Sequence, residues 1–448
     1  MITLYTPSTG LEDAEAKIAY GLARVALELP EARFTITPKH GYYQIRIESH
    51  DNEEGKFEES FSLLCTRALS SENRYMAAGI SPKYRSKYME RVAKTAKNKN
   101  KISVAELYSK VPPFENELFG IRCRHKEIEA FGGKEGGFIL GFSGHVGKPY
   151  GRDKVAARRN LGICAVCGAL SLLGNQSCSI ELRVGKKRAT FLPIPLHDLS
   201  MEQFDYLLSS VKTFPLTRLD DLPSEVTPLV IMAMHPHLTS ALRSSEFVVY
   251  IHGFEQQKGS WTTRGSKIFQ VSSLVKFLHR KPFNQAIVNR LIRPPHVEAL
   301  SQLFKALTGQ VESSRRSHSQ NFARSYVRDT RQLLYYKTTK DLLIEVDGVN
   351  ETLVRKSSIV SVARMLNYFV RDKNYGYVDS LRNARDVISL QDILAKALRS
   401  AQTRKAAGEA VHIPSSEDVQ EVVEAAKKEN FEEVKLSITL LALSYIIS

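Results

Sequence analysis

The densest chemistry in a short stretch is Cys164-Ala-Val-Cys167. Two thiols at this spacing are half of a tetrahedral zinc site, which Cys178 or His145 would have to complete. A full signature needs a second CxxC or an HxxxH, and the sequence has neither. Both cysteines fall in an apolar run, where cysteine behaves as a small hydrophobe. The residues alone therefore place the pair in the core, with no metal and no cofactor assigned to the chain.

Gly141-Phe-Ser-Gly-His-Val-Gly-Lys148 resembles a phosphate cradle at first sight. A P-loop needs four residues between its glycines and Ser or Thr after the lysine, whereas five intervene here and Pro149 follows. The stretch also fails as a nucleophile elbow, because His145 stands where the last glycine belongs. What remains is a glycine loop that leads into Lys148, Arg152, Lys154, Arg158 and Arg159. On a helix Lys154 and Arg158 are one turn apart, and amides at a helix start add phosphate donors. The plain alternative is an exposed linker.

Arg324, Arg328 and Arg331 recur at i, i+4 and i+7, which on a helix makes one guanidinium stripe. Arg315 and Arg316 precede it, and Tyr326, Tyr335 and Tyr336 are interleaved. Guanidinium forks bind phosphates and tyrosine stacks on unpaired bases, so the segment reads as nucleic-acid-binding, or else as a solvated helix face. A third basic stretch, 81–101, holds Lys83 and Arg85 among eight cations against Glu90 alone. His197-Asp198 and His235-Pro-His237 are the only tight histidine groupings. No HExxH or EF-hand pattern occurs, and no nucleophile, base or metal set presents itself, so the chain reads as a protein that is not an enzyme.

These segments sit in a chain of 448 residues with a net charge of +15. The first 60 residues hold six basic and eleven acidic side chains, so the remaining 388 carry +20. The balance of 43 % hydrophobic and 25 % charged residues is that of a folded protein with two or three domains. Five cysteines are too few and too irregular for a disulfide framework, which points to a reducing, cytoplasmic setting. The start turns acidic at Glu12, Asp13 and Glu15 and does not read as a signal peptide, and no apolar run reaches the ~20 residues of a membrane span.

The elements that must position these residues follow from periodicity. Thr9 and Glu12 suggest a capping box ahead of a helix over 11–28. A hairpin over 34–48 and a helix near 57–69 come next. A buried helix over 161–173 precedes strands at 179–184 and 189–194, joined by a basic tip. A strand at 246–251 and helices over 272–279 and 298–307 follow. Beyond about 342 helices dominate, at 359–369, 390–401, 417–428 and 436–447, with Ser415 as an N-terminal cap. The fold class expected is α+β, with mixed α/β N-terminal and central parts and a C-terminal helical bundle. The corresponding domains are 1–130, 131–345 and 346–448.

Three stretches together resemble the large subunit of archaeal type I-A CRISPR effector complexes. They are Met1-Ile-Thr-Leu-Tyr-Thr-Pro running into Ile18-Ala-Tyr-Gly-Leu, the loop Gly144-His-Val-Gly-Lys-Pro-Tyr-Gly-Arg152, and Arg159-Asn-Leu-Gly-Ile-Cys-Ala-Val-Cys-Gly168. The likeness covers about the first 200 residues. It implies a non-catalytic subunit that assembles with backbone and small subunits on a guide RNA. Such a subunit helps recognise the motif flanking the target DNA and recruits a separate helicase and nuclease. Two other classes stay open: a nuclease with dispersed acidic residues, and a standalone RNA-binding protein. Leu390, Ile393, Leu394 and Ala397 form a stripe that suits either a partner or an internal core.

Overall fold

Arg33, Phe34, Thr35 and Ile36 alternate between outward and buried positions, as do Tyr43, Ile45 and Ile47 against Gln44, Arg46 and Glu48. A period of two makes strands with one face on a core. The computed structural model describes residues 1–9, 11–48, 53–70, 103–112, 125, 130–131, 163–184, 187–212, 226–243, 247–257, 260–280, 282–292, 297–308, 334–335, 344, 350–428 and 430–445.

In chain order the described elements begin with β1 (Ile2–Tyr5), α1 (Glu12–Ala26), β2 (Arg33–Lys39), β3 (Tyr42–Glu48), α2 (Glu53–Ser70) and α3 (Val104–Leu107). Then come β4 (Ala130–Phe131), β5 (Ile163–Cys164), α4 (Ala165–Cys178), β6 (Ile180–Val184), β7 (Lys187–Pro195), β8 (Leu199–Ser200) and α5 (Met201–Lys212). After these lie α6 (Thr227–Met234), α7 (Pro236–Arg243), β9 (Phe247–Gln257), β10 (Ser260–Gln270), α8 (Ser272–Arg280), α9 (Pro282–Ile292), α10 (Val297–Thr308) and β11 (Leu334–Tyr335). The chain ends with α11 (Glu351–Arg355), α12 (Ser357–Arg371), α13 (Gly376–Asn383), α14 (Val387–Ala406), α15 (Ser416–Lys428), α16 (Phe431–Ala442) and β12 (Ser444–Tyr445). The class is α+β. Two units emerge: Met1–Ser224 with His235–Val275, and Glu225–Met234 with Lys276–Ser448.

The first unit is organised around α1. All its residues except Glu12 and Arg24 are buried, so it carries charge into the core. Asp13 and Lys17, one turn apart and 0 % and 3 % exposed, form an ion pair at 3.8 Å. Burial pulls the Lys17 ammonium below its ordinary value, and Asp13 partly restores it. One four-stranded antiparallel sheet, in the order β1-β3-β2-β8, packs beside this helix. A second sheet, β10-β9-β7-β6, is tied to the helix by the Tyr20 hydroxyl, which donates to the Pro193 carbonyl at 2.7 Å. The Tyr250 hydroxyl of β9 donates to Glu12 Oε2 at the start of α1.

The expected capping box does not form. The N-cap of α1 is Leu11, without a side-chain cap. Instead the Thr9 amide donates to Glu15 Oε1 at 2.5 Å, and the Thr9 hydroxyl faces the Leu11 amide at 3.4 Å. The helix starts later than the pattern implied, so the acid that reaches back to Thr9 is one turn further in. Strand β10 is absent from the sequence-based expectations, because Ser-Trp-Thr-Thr-Arg-Gly-Ser-Lys has no apolar alternation. Its pairing with β9 shifts register between Thr263 and Gly265. The hairpin β6–β7 forms as expected, with Arg183 set opposite Arg188.

In the second unit, α6 packs on α9, and the Gln285 amide donates to the Ala233 carbonyl at 2.6 Å. The bundle α11–α16 is built on α12, whose Ile359, Val362, Leu366 and Phe369 are buried. Asn367 Nδ2 donates to the carbonyls of Ala442 and Ser444 at 2.7 and 2.6 Å, which pins α12 to the end of α16. Ser415 caps α15 as expected: its hydroxyl accepts from the Asp418 amide at 3.0 Å. Leu390, Leu394 and Ala397 are buried and Ile393 is partly so, which makes the α14 stripe an internal core contact. No helix among the described residues is long and apolar enough to cross a membrane.

Candidate metal centre

Cys164 ends β5 and is also the N-cap of α4. Its extended backbone, φ −76° and ψ 161°, turns its side chain toward the first helical turn, where Sγ accepts from the Cys167 amide at 3.4 Å. A CxxC whose first cysteine is an N-cap thus brings both sulfurs to one side of the helix start. Both are 0 % exposed, and neither is in a disulfide.

The short ladder β4–β5 supplies the third group. It is antiparallel with Ala130 opposite Cys164, so the chain entering β4 lies at the end where β5 delivers Cys164. His125, five positions before Ala130, is brought there. Its Nδ1 lies 3.4 Å from Cys164 Sγ and 3.3 Å from Cys167 Sγ. The three donor atoms all fall within 4.8 Å of one another.

Tyr108 completes the surroundings. Its hydroxyl is 2.9 Å from Cys167 Sγ, and its ring meets the His125 ring edge-on at 4.8 Å. Tyr108 is fully buried at the end of α3, and its carbonyl accepts from the Tyr5 amide of β1 at 2.7 Å. Glu58 of α2 holds the other end of α3, accepting from the Val104 and Ala105 amides. A short helix fixed at both ends thereby orients a hydroxyl at a sulfur and a ring at an imidazole, the usual task of groups that stand behind metal ligands.

The third partner found, His125, is neither of the two that the sequence offered. Cys178 lies at the far end of α4, about 16 Å from Cys167 at the rise of a helix, and cannot reach the cluster. His145 lies outside the described residues. The available signal was Cys123-Arg-His125, a second pair of soft donors before the Cys164-Cys167 pair. Its Cys-x-His spacing matched neither pattern sought, and Cys123 also lies outside the described residues.

The expected nucleic-acid contacts Lys83, Arg85, Lys148, Arg152, Lys154, Arg158, Arg159, Arg315, Arg316, Arg324, Arg328 and Arg331 all lie outside the described residues. The segment holding the last five ends at β11, where Tyr335 is in a strand paired parallel with Tyr445 and not in a helix. His235 has a local role, accepting from the Leu238 amide at 3.0 Å as α7 begins.

One further grouping resembles a hydrolytic triad in composition only. The Ser361 hydroxyl is 2.9 Å from His412 Nε2 and also donates to Asp418 Oδ2 at 2.9 Å. In a working triad the imidazole stands between the hydroxyl and the carboxylate and is oriented by the latter. Here the serine is central and Asp418 is engaged by the Ser415 cap, so the set cross-links α12 to the start of α15. No family model and no curated protein matches this chain.

Proposed function

We propose that the chain is a non-catalytic, nucleic-acid-binding large subunit of a CRISPR RNA-guided DNA surveillance complex. In this reading it contacts guide RNA and target DNA near the flanking motif and recruits a separate helicase and nuclease. The CRISPR part of the reading rests on the resemblance of three stretches, and the nucleic-acid part is carried by the division of charge, −5 over the first 60 residues and +20 over the rest. A body of that charge is suited to a phosphate backbone, because each phosphate neutralised releases condensed counterions.

One structural observation supports it. Part of the N-terminal acidity is internal, since Asp13 and Glu15 are buried and Asp13 is paired with Lys17.

The test is purification from the native host, with mass spectrometry of the bound proteins and sequencing of the bound RNA. The proposal expects short guide RNAs together with partner subunits. RNA without partner subunits would favour a standalone RNA-binding protein. Divalent-cation-dependent DNA cleavage abolished by one Asp, Glu or His substitution would establish a nuclease instead.

A further inference from the structure

We propose that Cys164, Cys167 and His125 bind one zinc ion, which fastens the β4–β5 ladder to the start of α4. The inference stands on geometry and is independent of the nucleic-acid reading. A tetrahedral zinc with bonds of about 2.3 Å to sulfur and about 2.0–2.1 Å to nitrogen places each sulfur about 3.6 Å from the nitrogen. The observed separations of 3.4 and 3.3 Å lie within a few tenths of an ångström of that figure.

One imidazole nitrogen carries a single lone pair or a single hydrogen, so it can make only one good hydrogen bond. Here Nδ1 stands at nearly equal distances from two sulfurs, an arrangement that a cation between the three atoms would satisfy. Thiolate and imidazole are donors that suit zinc and do not suit calcium or magnesium. The Tyr108 hydroxyl, 2.9 Å from Cys167 Sγ, donates to the thiolate from behind.

The competing use of a CxxC is a dithiol switch. Redox-active cysteines are partly exposed so that a second thiol can reach them. Both sulfurs here belong to fully buried residues, and a disulfide between them would leave His125 and Tyr108 without a function.

The experiment is elemental analysis of the full chain purified from zinc-supplemented cells and dialysed against metal-free buffer. The expected result is about one zinc per chain, released when the thiols are titrated with an organomercurial. Cobalt(II) exchanged into the same protein should give thiolate-to-metal charge-transfer absorption. The double variant Cys164→Ser/Cys167→Ser and the single variant His125→Ala should each lose the metal, while Cys178→Ala keeps it. If the variants fail to fold, release from the unmodified protein and the cobalt spectrum still decide. Absence of zinc from the unmodified chain or zinc retained by the double cysteine variant would each overturn the proposal.

Discussion

Gly21 and Gly174 meet where α1 crosses α4, and neither has room for a methyl group. A Cβ on Gly174 would lie 1.8 Å from the Lys17 carbonyl oxygen and 2.9 Å from the Gly21 nitrogen, and one on Gly21 would lie 2.2 Å from the Leu170 carbonyl oxygen. The obstructing atoms are backbone, so no rotamer change relieves the clash. Gly174→Ala should cost about 3 kcal/mol, at the upper end of overpacking, despite alanine's better helix propensity. Gly55→Ala in α2 meets nothing within 4 Å and should stabilise by a few tenths of a kcal/mol or more. Urea midpoints of the two variants should therefore move in opposite directions.

Glu15 gives the first unit a pH dependence of uncommon sign. Burial pushes its carboxyl above the ordinary value of 4.5, against the hydrogen bonds from Thr6, Thr9 and Ser8. The folded state then holds a proton that the unfolded chain releases, so stability falls as pH rises from about 4.5 toward the folded value. Among the described residues its Oε2 is buried without a hydrogen-bond partner. Glu15→Gln should flatten the slope of urea midpoint against pH, without loss at neutral pH. A slope unchanged by the substitution would assign the dependence to other groups.

The C-terminal bundle should respond in the opposite direction. Burial holds the His412 imidazole below its ordinary 6.5, with Arg364 and Lys405 adding to the effect against Asp418. The unfolded chain therefore takes up a proton that the folded bundle resists, and stability is lost as pH falls below about 6.5. Burial alone would raise the Asp418 carboxyl, but hydrogen bonds from Ser415 and Ser361 bring it below 3.8 and extend the loss to lower pH. His412→Gln should remove the upper part of this loss, read as the far-ultraviolet melting temperature between about pH 7 and 5.

Charge reversal at Arg324 and Arg328 together should weaken binding to labelled single-stranded RNA. It should also reduce the slope of log affinity against log salt by about 2, one unit for each phosphate that the chain no longer neutralises. A slope equal to that of the unaltered chain would remove this segment from the interface.

How much of this was legible in the residues depended on whether the signal was local. β2, β3 and α12 announce themselves, because period-two and period-3.6 burial is written in consecutive side chains. Ser415 likewise marks the start of α15. β10 was illegible because a strand made of Ser, Thr, Arg, Gly and Lys is specified by its partner β9 and not by its own hydrophobicity. The cluster of Cys164, Cys167 and His125 was missed for a related reason. Cys164 and Cys167 were visible as a pair, but His125 joins them only through the β4–β5 ladder, a pairing of two residues on each side. The close approach at Gly21 was hidden as well, since a glycine inside a helix carries no mark of the helix that will lie against it.

The partners of α1 are spread along the chain in a way that governs its synthesis. Its Gly21 waits for Leu170, its Tyr20 for Pro193 and its Glu12 for Tyr250, and the neighbouring β2 waits for Leu199 and Ser200. A ribosome adding about 5–20 residues per second takes on the order of 10–50 seconds to reach position 250. Before position 170 the elements available to cover α1 are β2, β3 and α2, and the face that meets α4 at Gly21 stays open to water. The first helix to emerge therefore completes its packing only when the second sheet has been made.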